Sequence, residues 1–324
     1  MSQEHFLVTG AMGCIGAWVV RNLVHDQVAT TVFDLGTSKH RLELIMTPDE
    51  LAQVHFIHGD ITNTNAVKNA VLENDITHII HLAALQVPFC KADPPLGAAV
   101  NVVGTVNIFE AAKAAGLSLV VYASSAAVYG SKERYSARLI GPDAPLDPQN
   151  HYGVYKQANE GSARIYWQDD GIASIGLRPY TVYGLGRDQG MTSTPTKAML
   201  AAARGEAYHI SFGGYNGFQF ADDVAKIFIK SARTPFKGAG VFNIQGTVAH
   251  MSQIVAAIEA AEPAAKGRIT YEETPLPLPD GLKDQALRKL LGEPANTPLL
   301  DGVAQTISHF KQAIADGRLP QTEG

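Results

Sequence analysis

The chain has 324 residues, of which 46% are hydrophobic and 18% are charged, and its length predicts about two domains. A net charge of −5 leaves no basic excess to hold a phosphate backbone, which argues against nucleic acid as a partner. The charged share is below the usual ~25%, which argues against disorder and indicates either a large interior or a surface that another chain covers.

The first half of the chain alternates short apolar runs with amphipathic stretches. The pattern predicts strands at residues 6–8, 31–33, 54–58, 78–82, 119–123 and 173–177, and helices at 15–24, 64–72, 98–115 and 151–169. Continuous Val, Ile and Leu runs bounded by turns are typical of parallel strands that are covered on both faces. Their alternation with helices predicts an α/β fold with a doubly wound parallel sheet of the Rossmann kind.

This rhythm ends near residue 183. Residues 184–190 and 212–218 are predicted to be glycine-rich loops, and residues 274–280 a proline-rich loop. A final helix places its apolar residues on one face between positions 299 and 314. We therefore predict a dinucleotide-binding domain over 1–183 and a smaller mixed α/β substrate-binding lobe over 184–324. Part of 219–247 is the segment that could pack back on the first domain.

The connection between the first strand and the first helix carries three glycines. Gly10, Gly13 and Gly16 have G-x-x-G-x-x-G spacing, and the last of them stands inside the predicted helix. A tight turn that brings the backbone close to a pyrophosphate excludes side chains at such positions. The free N–H groups of the helix N-terminus would then face the phosphates, which predicts a dinucleotide site.

An acidic residue closes the second strand. Asp34 lies 18 residues after Gly16, where a carboxylate can accept hydrogen bonds from the adenosine ribose and repel a 2′-phosphate. This favours NAD as the cofactor. Lys39 and Arg41 follow shortly afterwards and keep NADP open as a minor alternative.

A tyrosine and a lysine stand four residues apart on a predicted helix. Tyr152 and Lys156 therefore share one face, and Ser125 ends the fifth predicted strand. A phenol titrates near ~10, too high for a base at neutral pH, but a neighbouring ammonium favours the phenolate. Such a tyrosine could take the proton of a substrate hydroxyl while a hydride leaves the same carbon, with Ser125 hydrogen-bonded to both oxygens. Tyr155 is the weaker candidate.

The glycine loop, the serine and the Tyr–Lys pair occur in an order that resembles the extended short-chain dehydrogenase/reductases, in the NAD-dependent epimerase/dehydratase family. The resemblance covers about residues 6–245, with H-L-A-A at 81–84 and L-R-P at 177–179 among its motifs. It implies the catalytic set Ser125, Tyr152 and Lys156. The cofactor contacts that it implies are Gly10, Gly13, Cys14, Ile15, Gly16, Asp34, Asp60, Ile61, Leu82, Ala83, Ala84, Asn101, Tyr152, Lys156 and Tyr180.

Several of these residues have specific implied roles. Asp60 and Ile61 would flank the adenine, and Asn101 would support the Tyr–Lys relay. Lys156 would also bind the nicotinamide ribose, and Tyr180 would lie near the nicotinamide. No metal is implied, and two pairs of histidines with metal-like spacing fall on strands, where an offset of three puts them on opposite faces.

The sequence departs from the family where substrates are bound. Dehydratases carry Asp-Glu directly after the serine, and this chain has two alanines there, which excludes a dehydratase. Nucleotide-sugar epimerases usually have Asn at the position of Thr181 and Arg at that of Asn216, and their later R-x-G-D segment has no clear counterpart near 279–281. These departures weaken a UDP-sugar assignment, although Arg187 or Arg204 could replace the missing contacts.

We therefore expect a small polar substrate such as a sugar, a sugar acid or a polyol. Its candidate contacts are Gln86, Ser125, Thr181 and Arg187, and the loop at 187–193 is either part of the pocket or a solvated linker. An NAD-dependent dehydrogenase acting in carbohydrate metabolism is the leading prediction. An epimerase that retains NAD is the alternative, and a catalytically idle NAD-binding regulator is the third.

The partner and the location follow from other features. The predicted helix at 98–115 is apolar nearly all round, which one sheet contact cannot cover. The resemblance implies a homodimer through the helices at 98–115 and 151–169. Cys14 and Cys90 are too few for a disulfide framework and fit a reducing compartment. Residues 1–5 show no signal-peptide pattern and no apolar run reaches ~18 residues, so we expect a cytoplasmic protein with no membrane segment.

Overall fold

The computed structural model describes residues 4–319. The strands in this part of the chain are β1 (His5–Thr9), β2 (Ala29–Asp34), β3 (His55–His58), β4 (His78–His81), β5 (Leu119–Ala123), β6 (Leu139–Ile140), β7 (Ala173–Arg178), β8 (Thr181–Tyr183), β9 (Tyr208–Ile210), β10 (Tyr215–Phe220), β11 (Ala239–Asn243), β12 (Thr247–His250), β13 (Ile269–Tyr271) and β14 (Gly281–Leu282).

The α-helices of the same residues alternate with these strands in the first half and dominate the last quarter. They are α1 (Cys14–His25), α2 (His40–Glu43), α3 (Pro48–Leu51), α4 (Thr64–Leu72), α5 (Val87–Ala92), α6 (Pro94–Ala98), α7 (Gly104–Ala114), α8 (His151–Asp170), α9 (Thr194–Arg204), α10 (Ala221–Arg233), α11 (Met251–Ala261), α12 (Gln285–Leu291) and α13 (Leu299–Ala315).

Seven of the strands form one central sheet, in the order β11-β7-β5-β4-β1-β2-β3, and every neighbouring pair is parallel. The order reverses between β1 and β4, because the chain runs outward from β1 in one direction and then returns to build the other half. Ligands of open α/β sheets bind in the crevice at such a switch point, beyond the carboxyl ends of the strands. The doubly wound parallel sheet is confirmed.

Both faces of the sheet are covered. On one face, Phe6 and Val8 of β1 pack into a core with residues of α1 and α10, and on the other face Leu7 packs with residues of α4, α7 and β5. All three side chains are fully buried. Alternate residues of one strand therefore serve two cores, which is why the predicted strands show continuous apolar runs.

The segment at 219–247 joins the first half of the chain. Its helix α10 packs on α1, and β11 forms the edge of the central sheet beside β7. The predicted domains at 1–183 and 184–324 remain a prediction.

The glycine-rich stretch at 212–218 is only partly a loop, so that prediction is wrong. Residues from Tyr215 onward form β10, which pairs with β12 and β8 in a three-stranded sheet. A Cβ at Gly217 would lie 2.9 Å from the carbonyl oxygen of Gln245 and 3.0 Å from the ring of Tyr180. This glycine permits a close strand contact rather than a turn.

The predicted helix at 98–115 is interrupted. It begins as α6, passes through a π-helical segment at Ala99–Val103 and continues as α7. π-Helical turns occur frequently at functional sites. Among residues 4–319, no helix is both long enough and apolar enough to cross a membrane.

Candidate active site

A cavity of about 610 Å³ opens beyond the carboxyl ends of β1, β4 and β5. One end, which we call the glycine-loop end, is formed by the loop at 10–16 and by the residues that follow β2 and β3. The other end, the side-chain end, is formed by residues 86–89, 149–150, 187–192 and 276–278. Ser125, Tyr152 and Lys156 lie on the wall between the two ends.

The glycine loop leaves no room for side chains. A Cβ on Gly10 would lie 2.5 Å from the backbone nitrogen of Ala83, and one on Gly16 would lie 2.4 Å from the carbonyl oxygen of Gly10. Gly13 is the N-cap of α1 and no side chain caps the helix, so its first N–H groups face the cavity. A pyrophosphate fits this cradle of bare backbone.

Asp34 supports the loop from the end of β2. Its carboxylate accepts hydrogen bonds from the backbone N–H groups of Met12, at 2.9 Å, and Gly36, at 2.8 Å, and the residue lines the cavity. Lys39 and Arg41, the two cations that left NADP as an alternative, contact other protein groups. Lys39 lies 3.5 Å above the ring of Phe56, and Arg41 pairs with a carboxylate of the loop after β8.

This pairing of Arg41 with Asp188 links the two ends of the cavity, and we call it the Arg41–Asp188 clasp. The guanidinium donates to Asp188 Oδ1 through Nε at 2.9 Å and Nη2 at 2.7 Å, and through Nη1 to the carbonyl oxygen of Met12 at 2.6 Å. His40 lies 3.1 Å from the other carboxylate oxygen. The clasp therefore bridges the glycine loop and the loop at 187–192.

Most of the other predicted cofactor contacts lie on the cavity wall. Tyr180 lines it while its hydroxyl donates to the carbonyl oxygen of Pro279 at 2.6 Å. The remaining lining residues of this predicted set are Cys14, Ile15, Asp60, Ile61, Leu82, Ala83 and Ala84. Among residues 4–319, no cluster of three His, Cys, Asp or Glu side chains could hold a metal ion.

The Tyr–Lys pair projects from the first two turns of α8. Lys156 is 2% exposed, and its Nζ donates to the carbonyl oxygen of Ala123 at 2.8 Å and lies 5.6 Å from the ring centre of Tyr152. Burial lowers the pKa of Lys156 to about 8, against the opposing effects of Cys90 and Glu160. The ammonium is therefore charged at neutral pH and fixed at the end of β5.

Burial also raises the pKa of the Tyr152 phenol. A side-chain hydrogen bond with Ser125 and the positive charge of Arg187 act in the opposite direction. Ser125 is itself held in place, because its Oγ accepts the backbone N–H of Ala127 at 3.1 Å. The hydroxyl of Tyr155 donates instead to the carbonyl oxygen of Pro94 at 2.9 Å.

Asn101 lies behind the cavity wall rather than on it. Its side-chain nitrogen donates to the carbonyl oxygen of Gly97 at 2.9 Å, and its own carbonyl accepts from Thr105 at 2.7 Å and from Asn159 of α8 at 2.9 Å. The expected direct contact between Asn101 and the cofactor therefore has no support in this geometry. The residue instead ties the π-helical segment to the helix that carries Tyr152.

A chain of buried hydrogen bonds continues from Asn101 to the glycine loop. Thr105 donates its only hydroxyl proton to Asn101, so its oxygen must accept from His81 Nε2, 3.1 Å away. His81 Nδ1 then accepts from the Thr9 hydroxyl, at 2.7 Å. Burial, with the charge of Lys156, lowers the pKa of His81 to about 3, so the ring stays neutral. No pattern in the sequence indicates this series of hydrogen bonds.

A buried ion pair lies behind Ser125, the predicted catalytic serine. Arg178 at the end of β7 donates to both carboxylate oxygens of Glu160, at 2.8 and 2.7 Å, and the hydroxyl of Ser124 donates to the same carboxylate. Both charged side chains are at least nine-tenths buried. Glu160 lies one turn after Lys156 on α8, so the pair fixes that helix against the ends of β5 and β7.

The side-chain end collects polar groups from separate loops. Gln86 and Arg187 of the predicted substrate contacts lie here, and the structure adds residues that sequence reasoning missed. Asn150 was detectable as the N-cap of α8, where its Oδ1 accepts from Gly153 at 2.9 Å. The other missed lining residues lie in the first turn of the short helix α5, in the loop before α8 and in the proline-rich loop at 274–280, and none of these segments has a pattern that indicates a binding role; they are Val87, Phe89, Gln149, Leu276, Pro277 and Leu278.

Two predicted contacts are not brought to the cavity. Thr181 is fully buried in β8, opposite Phe218 of β10, and does not line the wall, so its expected substrate contact is wrong in this structure. Arg204 ends α9 and lies outside the wall, so it cannot replace a missing contact there. Arg187 does line the wall, as do Gln189, Met191 and Thr192 of its loop.

Comparisons with known proteins agree with this arrangement. The sequence model described as the NAD dependent epimerase/dehydratase family matches residues 6–244. A UDP-glucose 4-epimerase of Mycolicibacterium smegmatis is 30% identical over 318 residues, which cover 94% of this chain and 98% of that protein.

Two solved structures share the fold. A UDP-glucose 4-epimerase of Thermus thermophilus in complex with NAD has a TM-score of 0.80 at 23% identity, over 95% of this chain and 99% of that one. An L-threonine dehydrogenase of Clostridium difficile has a TM-score of 0.82 at 19% identity, over 96% of this chain and 99% of that one.

Proposed function

Because this chain belongs to the NAD-dependent epimerase/dehydratase family, we propose that it transfers a hydride from a secondary alcohol carbon of a small polar substrate. The chain is an NAD-dependent enzyme of the extended short-chain dehydrogenase/reductase type. The proposed substrates are sugars, sugar acids and polyols. The observation that carries the proposal is the convergence of Ser125, Tyr152 and Lys156 on one cavity wall, beside a glycine cradle that fits a pyrophosphate.

The three side chains divide the work on the alcohol. When bound, NAD⁺ supplies the hydride acceptor. Tyr152 accepts the hydroxyl proton, and Ser125 hydrogen-bonds the phenol and orients the substrate oxygen. Lys156 holds a positive charge near the phenol, which favours its ionised form. Its hydrogen bond to Ala123 fixes that charge in place.

The residues at the positions where relatives would bind a nucleotide diphosphate make contacts within the protein instead. Asn216 is fully buried, its side chain donates to the carbonyl oxygen of Gly213 and it does not line the cavity. Near 279–281, Asp280 pairs with Arg138 at 3.1 Å, and that guanidinium stacks 3.9 Å above the ring of Tyr215. These contacts support a substrate without a nucleotide.

A second candidate is an epimerase of sugars or nucleotide sugars that retains its NAD. The full-length similarity to a UDP-glucose 4-epimerase favours it. Such an enzyme would use the same Ser125, Tyr152 and Lys156. A third candidate, a catalytically idle NAD-binding regulator, is disfavoured because a regulator has no need of the intact Tyr–Lys pair.

A substrate panel separates these candidates. The protein would be mixed with NAD and with sugars, sugar acids, polyols and UDP-sugars, and NADH would be followed at 340 nm. Steady NADH formation with a small alcohol is the expected result. Epimeric product with tightly held cofactor and no net NADH would support the second candidate. If no compound gave NADH or an epimeric product, both enzymatic proposals would be contradicted.

We also propose a cytoplasmic homodimer, formed through residues 98–115 and 151–169. Val154 and Ile165 are 46% and 48% exposed on α8, eleven residues apart and therefore on one side of the helix. Val103 is 47% exposed at the end of the π-helical segment, which contacts α8. Exposed apolar residues grouped in this way are typical of an interaction surface. The free thiols of Cys14 and Cys90 support a reducing compartment.

The dimer proposal is tested by size. Light scattering after gel filtration should give twice the chain mass for the unmodified protein and a shift toward the monomer for Val154→Glu. Leu300→Glu is the matched control, because Leu300 is 62% exposed on α13 and lies outside the proposed interface. A monomeric unmodified protein at micromolar concentration would contradict the proposal.

A further inference from the structure

Two polar atoms on the wall of the side-chain end are buried without a hydrogen-bond partner. They are Nε of Arg187 and Oε1 of Gln86. A Cβ on Gly190 would lie 2.1 Å from that amide oxygen and 3.3 Å from Nη2 of Arg187, so both groups converge beside one glycine. A polar atom left in this state is costly, unless a ligand supplies the missing hydrogen bond.

The same end of the cavity lacks an acid to balance its positive charge. Arg187 makes no ion pair with a carboxylate of residues 4–319, and its Nη2 donates to the hydroxyl of Thr192 at 3.0 Å. The neighbouring Asp188 is taken by the Arg41–Asp188 clasp. The acids on the cavity wall, Asp34 and Asp60, belong to the glycine-loop end. Lys156 and Arg187 therefore leave the region around Tyr152 electropositive.

We propose that Arg187 and Gln86 form a carboxylate-recognition site, and that the substrate is a sugar acid rather than a neutral sugar or polyol. This inference rests on the proposed function. The planar guanidinium binds a carboxylate through two parallel hydrogen bonds, which balances the charge. Because Nε of Arg187 and Oε1 of Gln86 are covered by protein in this structure, both side chains rotate toward the cavity when the substrate binds. The unpartnered oxygen of Gln86 accepts a hydrogen bond from a hydroxyl of the same substrate. A neutral polyol satisfies Gln86 and leaves the guanidinium without an anion.

The position of Arg187 fits this role. Its positive charge lowers the pKa of Tyr152, which places the guanidinium near the proposed base. It also acts on Cys14 at the start of α1, so a phosphate of the cofactor is the competing ligand. The uncapped N–H groups of α1 are available to phosphates without Arg187. Within residues 4–319 the cations that line the cavity are Arg41, Lys156 and Arg187, and Arg41 pairs with Asp188.

Calorimetric titration of the NADH-loaded protein tests the proposal, because the reduced cofactor cannot accept a hydride and the heat then reports binding alone. The probes are glucuronate, galacturonate and gluconate, each compared with its neutral counterpart, glucose, galactose or glucitol. We expect at least one acid to bind about ten-fold or more tightly than its counterpart. Arg187→Gln should weaken acid binding about ten- to hundred-fold and change NAD affinity less than about two-fold. Arg187→Lys, which keeps the charge without the planar fork, should lie between the two.

Arg268→Gln removes an exposed arginine just before β13, outside both the cavity wall and the proposed dimer interface, and is the matched control, with unchanged acid binding expected. Equal binding of acids and neutral sugars would contradict the carboxylate site. A loss of NAD affinity in Arg187→Gln with unchanged acid binding would also contradict it, because that result would show that Arg187 binds a phosphate of the cofactor. Acid binding without NADH formation contradicts the proposed function and leaves this site standing. Oxidation of neutral polyols without preference for acids supports the proposed function and contradicts the carboxylate site.

Discussion

The two ends of the cavity are built from different parts of the chain. The glycine-loop end is largely backbone, namely the turn after β1 and the uncapped start of α1, with Asp34 holding the turn in shape. The side-chain end consists of amide, guanidinium and apolar groups that project from four separate segments. A backbone wall has one shape and fits one ligand, whereas a side-chain wall changes its ligand with a few substitutions. A sequence motif therefore identifies the glycine-loop end, whereas no motif identifies the side-chain end.

Tyr152→Phe should have the largest effect on turnover, although it leaves both ends of the cavity unchanged. Loss of the phenolic oxygen removes the proposed proton acceptor, so turnover should fall about 10²- to 10⁴-fold while NAD affinity is largely kept. Tyr155→Phe is the control, since its hydroxyl bonds only the carbonyl of Pro94 in the described structure. Steady-state kinetics and NAD titration measure both. An active Tyr152→Phe enzyme would refute the mechanism.

Gly16→Ala should damage the glycine-loop end alone. The added Cβ would lie 2.4 Å from the carbonyl oxygen of Gly10, so the loop must shift, at an overpacking cost of about 1–3 kcal/mol. NAD affinity should then fall about ten- to hundred-fold, measured by titration of NADH fluorescence. Gly141→Ala, where the new methyl meets nothing within 4 Å, should leave affinity unchanged. Equal losses in both variants would show that the tight turn is not the cause.

Ser125→Ala should move the pH dependence of the reaction. The hydrogen bond of Ser125 lowers the pKa of Tyr152, so removing it raises that pKa. If the rate requires the ionised phenol, it rises with pH, and its acidic limb should move to higher pH by up to about one unit, or about ten-fold in rate at a fixed acidic pH. A profile of kcat/KM against pH measures this. A limb displaced to lower pH would contradict the assigned roles.

Asp188→Asn should have the smallest effect, because it weakens the link between the two ends at a residue that does not itself line the cavity. A partly exposed ion pair contributes up to about 1 kcal/mol, so NAD should dissociate about five-fold faster. Stopped-flow release of NADH measures the rate. Asp316→Asn breaks an exposed pair with Arg318 at the end of α13 and serves as the control. An unchanged release rate would mean that the clasp does not gate the cofactor.

The sequence predicted the central fold well because its signals are local. The helix at 64–72 and the strand at 119–123 have the predicted bounds. The helix is delimited by its apolar spacing and its Asn63 N-cap, and the strand by its apolar run. The elements that were missed depend on distant contacts. Tyr215 to Phe220 form a strand because β8 and β12 lie beside them, despite three glycines nearby. Nothing in A-V-N-V-V indicates the π-helical turn at 99–103.

The candidate site divides in the same way. Gly10, Ser125, Tyr152 and Lys156 belong to patterns with fixed spacing, and the structure brings all four to one cavity. Thr181 was chosen by analogy of position, and its strand pairing takes it away from the wall. Positions such as Gln149 and Leu276 meet only through the folding of separate loops, so no periodicity or spacing could identify them.

The hydrogen bonds between Thr9 and Asn101 have a direction. Each member donates one hydrogen bond to the next: Thr9 to His81, His81 to Thr105, and Thr105 to the carbonyl oxygen of Asn101, which also accepts from Asn159 of α8. Reversing one member leaves two lone pairs facing each other, so the series tolerates a single orientation. A substitution as small as Thr9→Val would therefore be transmitted, bond by bond, from the cofactor turn to the helix that aims Tyr152, with no change in any residue of the cavity wall.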